Sequence, residues 1–286
     1  MLRAVCVAVV SALFAAGANG QSLPLDVPAA SNNSVRTLLD AMLGGSTERN
    51  GRSEEDERLD PDRPHFPEAT TTVGIGRAIL ESGYTFTKKG GSFVSHSYPE
   101  ALLRIGMLAD WFEFRVGQNV VSQQESIPGA PANAIGAQDL YMGVKLAVGE
   151  QKGWLPAIVM IPQMTLPTGS RSVTAGRVLP GLNVDLSWDI IENFFGIELL
   201  IANNQTKDDL GGFPHELATG LTSVFQVTKK LELFAEWDAF YPRGGLDSGS
   251  RHYAVGGLVY FLSSNFEVDA RAGLVLTTVR MIFSRV

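Results

Sequence analysis

From about Thr71 onward, apolar and polar residues alternate one by one along the chain. A period of two is typical of β-strands whose faces meet different surroundings, because successive side chains point to opposite faces. In residues 230–241, for example, Leu231 and Leu233 fall on one face, whereas Glu232 falls on the other. The pattern predicts about twelve strands, with approximate spans of 73–87, 98–107, 110–121, 136–147, 154–165, 181–190, 194–204, 214–227, 230–241, 251–263, 266–276 and 279–285.

The connections between these segments alternate between tight turns and longer loops. Most segments reach the roughly 9–11 residues that a tilted strand needs to cross the hydrocarbon of a membrane. Short turns at one end and longer loops at the other are typical of outer-membrane barrels, whereas a soluble β-sandwich has no reason to alternate them. We therefore predict an all-β fold: an antiparallel transmembrane β-barrel of about 12 strands over residues 71–286, in a bacterial outer membrane. The last segment, 279–285, is short and follows a tight connection where a long loop is expected, which leaves barrel closure open.

The first twenty residues have the features of a secretory signal peptide. Arg3 carries a positive charge, residues 4–18 form a mostly apolar run, and small residues precede Gly20. These features predict removal of residues 1–20, because they are what a signal peptidase recognises. The apolar run is short for a membrane-spanning helix, which needs about 20 residues. Cys6 is the only cysteine, so the mature chain is expected to lack disulfides and thiol chemistry.

Residues 21–70 do not alternate and are expected to precede the barrel on its periplasmic side. Residues 34–43 could form a short amphipathic helix. Residues 44–63 are rich in Gly, Ser and charged side chains, which predicts a flexible acidic linker because too little apolar surface is available to bury. The helix could dock on a partner, plug the barrel, or belong to a frayed tail.

The polar faces of the strands should line the barrel lumen if the apolar faces meet lipid. On this assignment the lumen carries eleven acidic against five basic side chains. They could create a negative field that favours cations or excludes anions; alternatively, most of them pair across neighbouring strands, because an unpaired buried charge is costly. The candidate lumen-lining residues are Glu81, Arg104, Glu113, Arg115, Asp139, Lys145, Glu236 and Arg271.

The sequence contains no pattern that points to catalysis, to a metal or to a cofactor. The net charge of −7 also argues against a nucleic-acid partner. A hydrolase would need a nucleophile beside a histidine base; Ser97 and Ser250 lie near His96 and His252 in the sequence, but nearness in sequence does not establish such a geometry. We therefore predict no enzyme, no metal and no cofactor. The four histidines, whose separations match no ligand spacing, are His65, His96, His215 and His252.

Several short motifs, in order and with their spacing, resemble a known family. The chain is similar to the outer-membrane transporters named for the meta-cleavage pathway of phenol degradation. The resemblance implies a β-barrel that moves small, often hydrophobic or aromatic, compounds across the outer membrane. The motifs that carry it lie at 60–66, 80–85, 136–140, 143–145, 166–169, 180–183, 187–188, 233–236 and 265–269.

Three functional hypotheses follow from the sequence. The first is a channel for small solutes, with outer-membrane lipid and a small molecule as its partners. The second is a structural or adhesive barrel whose lumen is plugged, for instance by residues 34–45. The third and weakest is a barrel enzyme that acts on lipid. The sequence does not indicate the oligomeric state.

Overall fold

The structure is a computed structural model, and it describes residues 7–15, 33–34, 37–43, 47–48, 60–89, 93–125, 132–208, 211–244 and 249–279. These residues form one short helix and fifteen strands. The elements are β1 (Val7–Ala15), β2 (Asn33–Ser34), α1 (Leu38–Leu43), β3 (Thr47–Glu48), β4 (Ala78–Lys89), β5 (Phe93–Gly106), β6 (Phe112–Glu125), β7 (Ala132–Ala137), β8 (Leu140–Gly149), β9 (Ala157–Leu166), β10 (Leu179–Ile191), β11 (Phe195–Gln205), β12 (His215–Thr228), β13 (Leu231–Arg243), β14 (Ser250–Ser263) and β15 (Phe266–Val279).

The thirteen strands other than β2 and β3 form one antiparallel sheet that returns on itself. From β4 to β15, strands that follow one another in the chain pair with each other except β7 and β8, and β1 pairs with both β4 and β15. Strands β7 and β8 both pair with β6, at different heights, and so share one position of the ring. The described residues therefore fill twelve positions, which confirms the predicted antiparallel barrel of about twelve strands.

The barrel is polar inside and apolar outside. Along β6, Glu113 and Arg115 are buried in the interior, and alternate residues are more exposed. On β13, Leu233 and Trp237 are 41% and 36% exposed, whereas Glu236 between them is 5% exposed. A polar interior with an apolar exterior is the reverse of the arrangement in a soluble protein, and it is typical of transmembrane barrels, whose outer faces meet lipid.

The two ends of the barrel differ in their connections. One end, which we call the turn end, carries the connections 107–111, 150–156, 192–194, 229–230 and 264–265; the other, the loop end, carries 90–92, 126–131, 167–178, 206–214 and 244–249. The alternation in length is less strict than the sequence suggested, because β4 and β5 extend into the predicted loop at 88–97 and leave only 90–92 between them.

The strand that closes the barrel is not the one that the sequence predicted. Residues of β15 continue through the predicted turn at 277–278, and residues 280–285 of the predicted last strand, 279–285, lie outside the described residues. The position between β15 and β4 is held by β1, which is part of the predicted signal peptide. Because β4 and β15 run in the same direction, one further strand is needed to close an antiparallel ring.

The helix α1, at Leu38–Leu43, covers the second part of the helix expected within residues 34–43. Thr37 caps its first turn, because its Oγ1 accepts a hydrogen bond of 3.1 Å from the backbone N–H of Asp40. The side chain of Leu39 lies beside Gly149 at the turn end of β8. In the described part of the chain, we find no helix with the length and apolarity needed to cross a membrane.

Candidate functional site

Residues 60–73, which we call the lumen segment, cross the interior of the barrel before β4 begins. Asp62, Pro64, Pro67 and Val73 are buried there. Hydrogen bonds and ion pairs join the segment to strands all around the ring, including β4, β6, β10, β13 and β15. The segment thus occupies the path that a solute would take through the barrel.

Asp62 binds three cations that lie on the neighbouring strands β5, β6 and β8. Its Oδ2 lies 2.6 Å from Arg115 Nη2 and 3.2 Å from Arg104 Nε, and its Oδ1 accepts a hydrogen bond from Lys145 Nζ. Burial alone would raise the pKa of Asp62, but the three cations outweigh it and hold the pKa well below its usual range. We call Arg104, Arg115 and Lys145 the basic wall.

Two barrel carboxylates complete the charge balance around Arg104. Its Nε and Nη2 donate to the two oxygens of Glu113 at 2.7 and 3.0 Å, and its Nη1 donates to Glu81 at 3.1 Å. Both carboxylates also accept from the lumen segment, Glu81 from the N–H of Asp62 and Glu113 from that of Val73. Buried charges are tolerated when they are paired and hydrogen-bonded in this way, which supports the pairing alternative on this side of the lumen.

Glu68 joins the lumen segment to both sides of the barrel. Its carboxylate pairs with Arg115 and accepts a hydrogen bond of 3.2 Å from Asn183 Nδ2. Its backbone N–H donates to Asp185 Oδ1 at 2.9 Å. The carbonyl of the next residue, Ala69, accepts from Lys145 Nζ at 2.8 Å. The segment is therefore held by its backbone as well as by its charges.

The opposite side of the lumen is acidic, and the lumen segment presents a histidine to it. His65 Nδ1 lies 2.9 Å from Glu198 Oε2, and its Nε2 lies 3.7 Å from Glu232 Oε1. Burial would lower the pKa of His65, but Glu198 and Glu232 raise it to about 9. The backbone N–H of Phe66 donates to Glu236 at 2.7 Å. We call this side the acidic wall; it consists of Asp185, Glu198, Glu232, Glu236, Asp238, Glu267 and Asp269.

A cavity of about 480 Å³, which we call the outer cavity, lies between the lumen segment and the loop end. Glu68 and Arg115 form its floor together with Tyr141, and Val173 and Lys207 belong to its loop-end side. Its volume falls within the range of about 300–1,000 Å³ that is usual for small-ligand sites. The remaining lining residues are Ala101, Leu102, Gly117, Asn119, Gln138, Asp139, Thr165, Ala175 and Leu179.

Asp139 lies at the break between β7 and β8 and fastens the loop 167–178 over the outer cavity. Its carboxylate accepts hydrogen bonds from Thr174 Oγ1 at 2.6 Å, from the N–H of Ala175 at 2.8 Å and from the N–H of Gly169 at 3.0 Å. Lys207 Nζ donates to the carbonyl of Thr174 at 2.8 Å. These contacts hold the loop where its residues Val173 and Ala175 line the outer cavity.

The eight residues predicted to line the lumen fall into three places. Glu81, Arg104, Glu113, Arg115 and Lys145 form the network around Asp62, all at most 2% exposed. On the other side, Glu236 bonds Phe66, and Arg271 donates to the carbonyl of Pro64 at 2.6 Å. Asp139 lies apart, on the outer cavity.

Sequence reasoning missed the functional side chains of the lumen segment itself. Asp62, His65 and Glu68 lie in residues that were assigned to the region before the barrel. The signal that could have revealed them is the charged, proline-rich motif at 60–66, which directly precedes the first barrel strand. The predicted boundary at residue 71 remains a prediction, but residues 60–70 lie inside the barrel.

His96 and His252, at the loop end, contact different neighbours. His252 stacks beside Trp237, with ring centroids 5.7 Å apart, on the outer face of the barrel. His96 Nδ1 lies 2.8 Å from the hydroxyl of Tyr84. Within the described ranges, no group of three or more His, Cys, Asp or Glu side chains is arranged to hold a metal ion.

Comparisons with known proteins agree with the fold. The profile of the family described as "Putative MetA-pathway of phenol degradation" matches residues 61–280, which confirms the resemblance found in the motifs. A crystal structure of an outer membrane channel from Pseudomonas putida F1 is similar over 96% of both chains, with a TM-score of 0.50 and 10% identity. At this identity the likeness concerns the fold alone. A search of curated proteins gives no significant match.

Proposed function

Because the chain belongs to the family described as "Putative MetA-pathway of phenol degradation", we propose that it is a channel of the bacterial outer membrane that passes small solutes. Its partners are then the outer-membrane lipid around the barrel and a small molecule inside it. The single observation that carries this proposal is the outer cavity of about 480 Å³, which lies in a polar lumen and ends on the lumen segment. The apolar outer face supports the membrane location.

Solute passage requires that the lumen segment move. The segment is joined to β4 by residues 74–77, where Gly74 and Gly76 have φ values of 75° and 74°. This left-handed conformation favours glycine, and glycine also permits large backbone changes at low steric cost. We therefore place the hinge of the channel at these two glycines, so that the segment swings away as a unit.

The alternative is a barrel that stays plugged. It is favoured by the buried ion pairs of Asp62 and Glu68 with the basic wall, which resist displacement of the lumen segment. Residues 60–73, and not the expected residues 34–45, would then form the plug. The two functions make opposite demands on the lumen segment, which must move in a channel and remain in place in a plugged barrel.

Conductance in planar lipid bilayers distinguishes the two functions. We expect measurable, fluctuating conductance for the full chain and a larger, steady conductance after deletion of residues 21–73. Deletion of residues 21–59 is the matched control, because it leaves the lumen segment in place and should behave as the full chain. A full chain that never conducts, combined with an open deletion variant, would establish a plugged barrel. If neither conducts, the channel function is refuted.

A further inference from the structure

The lumen segment supplies carboxylates to a basic wall that lies at the end of an open cavity. Each of the three cations of the wall binds Asp62, and Arg115 binds Glu68 as well. Both acids come from the segment that must leave if the barrel conducts. When it leaves, three buried cations on neighbouring strands lose these partners at once.

Arg115 is the member of the basic wall that the outer cavity reaches. It lines the floor of the cavity together with Glu68, the carboxylate that now occupies its Nη1. Its Nε has no hydrogen-bond partner, although Glu113 lies 3.7 Å away. The hydroxyl of Tyr141, also on the cavity floor, is buried without a hydrogen-bond partner.

We propose that the basic wall, with Arg115 foremost, is a binding site for the carboxylate of a small organic acid, and that Glu68 and Asp62 are internal occupants which this solute displaces. The proposal rests on the proposed channel function and names its class of solute. A guanidinium is planar and carries paired N–H donors that match a carboxylate. A solute carboxylate would replace Glu68 one for one, so that the buried cation is never left unpaired.

The other lining residues of the outer cavity determine which chemical group can follow the carboxylate of the solute. Leu102, Val173 and Leu179 offer apolar surface above the floor. The acidic wall on the other side of the lumen repels a carboxylate, because like charges at low dielectric raise each other's energy. A solute is therefore oriented with its acid group on the basic wall and its apolar body toward the loop end, which describes a small aromatic or aliphatic acid.

Calorimetric titration of the full chain in detergent micelles tests this site with benzoate as the probe. Benzamide is the matched neutral probe, since it has nearly the same shape and no charge. We expect benzoate to bind and benzamide to bind at least about tenfold more weakly, with benzoate binding reduced by salt. Equal binding of the two probes, or none of benzoate, overturns the proposal.

Glu68→Gln tests the idea of an internal occupant. If Glu68 leaves Arg115 available about one-tenth of the time, its removal tightens benzoate binding about tenfold and leaves benzamide unchanged. Asp189→Asn is the control, because it removes an exposed carboxylate at the turn end of the barrel. Unchanged or weaker benzoate binding in Glu68→Gln contradicts internal occupancy.

Arg115→Gln should abolish benzoate binding, and a heat-modifiability gel shows whether this variant folds. If it does not fold, the Glu68→Gln comparison decides. Competition with inorganic phosphate tests whether the site is specific for carboxylates. If phosphate displaces benzoate at equal concentration, the assignment to carboxylates is overturned.

Flux of the neutral sugar arabinose into liposomes separates failure of this inference from failure of the channel function. Arabinose flux without benzoate binding refutes the carboxylate site alone. Benzoate binding without flux of any solute refutes the channel function and leaves the binding site supported.

Discussion

Replacement of Arg115 by Met should release the lumen segment. Arg115 is 2% exposed and pairs with both Asp62 and Glu68, so the change leaves two carboxylates short of their partner. Removal of one member of a buried ion pair typically costs about 3–5 kcal/mol. Asp62 keeps Arg104 and Lys145, and Glu68 keeps Asn183, so we expect the lower figure of about 3 kcal/mol.

This cost should be measurable as exposure of the peptide bond between Glu68 and Ala69, which is a site for a glutamate-specific protease within the lumen segment. Cleavage of a transiently opened segment follows the population of the open form when closing is fast. A shift of about 3 kcal/mol corresponds to a roughly hundredfold faster cleavage, since about 1.4 kcal/mol is tenfold. Each rate is divided by that of the same chain unfolded in urea, which removes local sequence effects on the protease.

Two further variants complete the test of Arg115. Arg177→Met is the control, because Arg177 is exposed at the loop end and its replacement should not change cleavage after Glu68. The double variant Asp62→Asn with Arg115→Met should cost less than the sum of the single changes, because removing both partners leaves fewer unpaired charges. Cleavage in Arg115→Met within twofold of the wild type would refute the view that buried ion pairs hold the segment.

Three other outcomes are expected. Because the pKa of His65 is raised to about 9 from an ordinary 6.5, its stabilising ion pairs are complete below about pH 6.5 and are lost as the pH rises through 9. Bilayer conductance should therefore increase between these values, and the increase should be smaller in His65→Gln. An equal increase in the wild type and in His65→Gln would contradict this role. Asp139→Ala should free loop 167–178 and raise conductance, while the heat-modifiability of the barrel is unchanged. Lys207→Ala removes one contact and should raise conductance less. If Asp139→Ala does not change conductance, the loop does not restrict the path. Mass spectrometry of the protein from outer membranes should find Gln21 as the first residue, in which case β1 does not hold the closing position in the mature protein; a retained residue 1 would refute the signal peptide and agree with β1 as a barrel strand.

The strands could be predicted because their signal is local. The period of two between apolar side chains can be read within each segment, without knowing which other segment it pairs with. The predicted strand 230–241 is β13 at Leu231–Arg243, and the predicted 266–276 is β15 at Phe266–Val279. Their ends were less predictable, since a strand that leaves the membrane region continues for as long as its neighbour offers backbone partners.

The lumen segment could not be predicted because its stabilising partners are distant in the sequence. Glu68 bonds Asp185, 117 residues away, and Phe66 bonds Glu236, 170 residues away. Judged by composition, residues 60–70 resemble a flexible linker that cannot bury apolar surface. Inside the barrel the segment does not need to bury apolar surface, because the interior offers charged groups with which its own polar groups can pair.

The charges of the lumen segment fix the orientation in which it docks. Asp62 binds the basic wall, His65 three residues later binds the acidic wall, and Glu68 three residues after that returns to Arg115. Rotation of the segment by half a turn about its own length would bring Asp62 and Glu68 against carboxylates and His65 against cations. Each such contact is repulsive at low dielectric, so the two walls select one docked state from a stretch of chain that has no helix or strand of its own. A lumen charged uniformly, as an acidic excess alone would suggest, could attract a peptide segment but could not orient it.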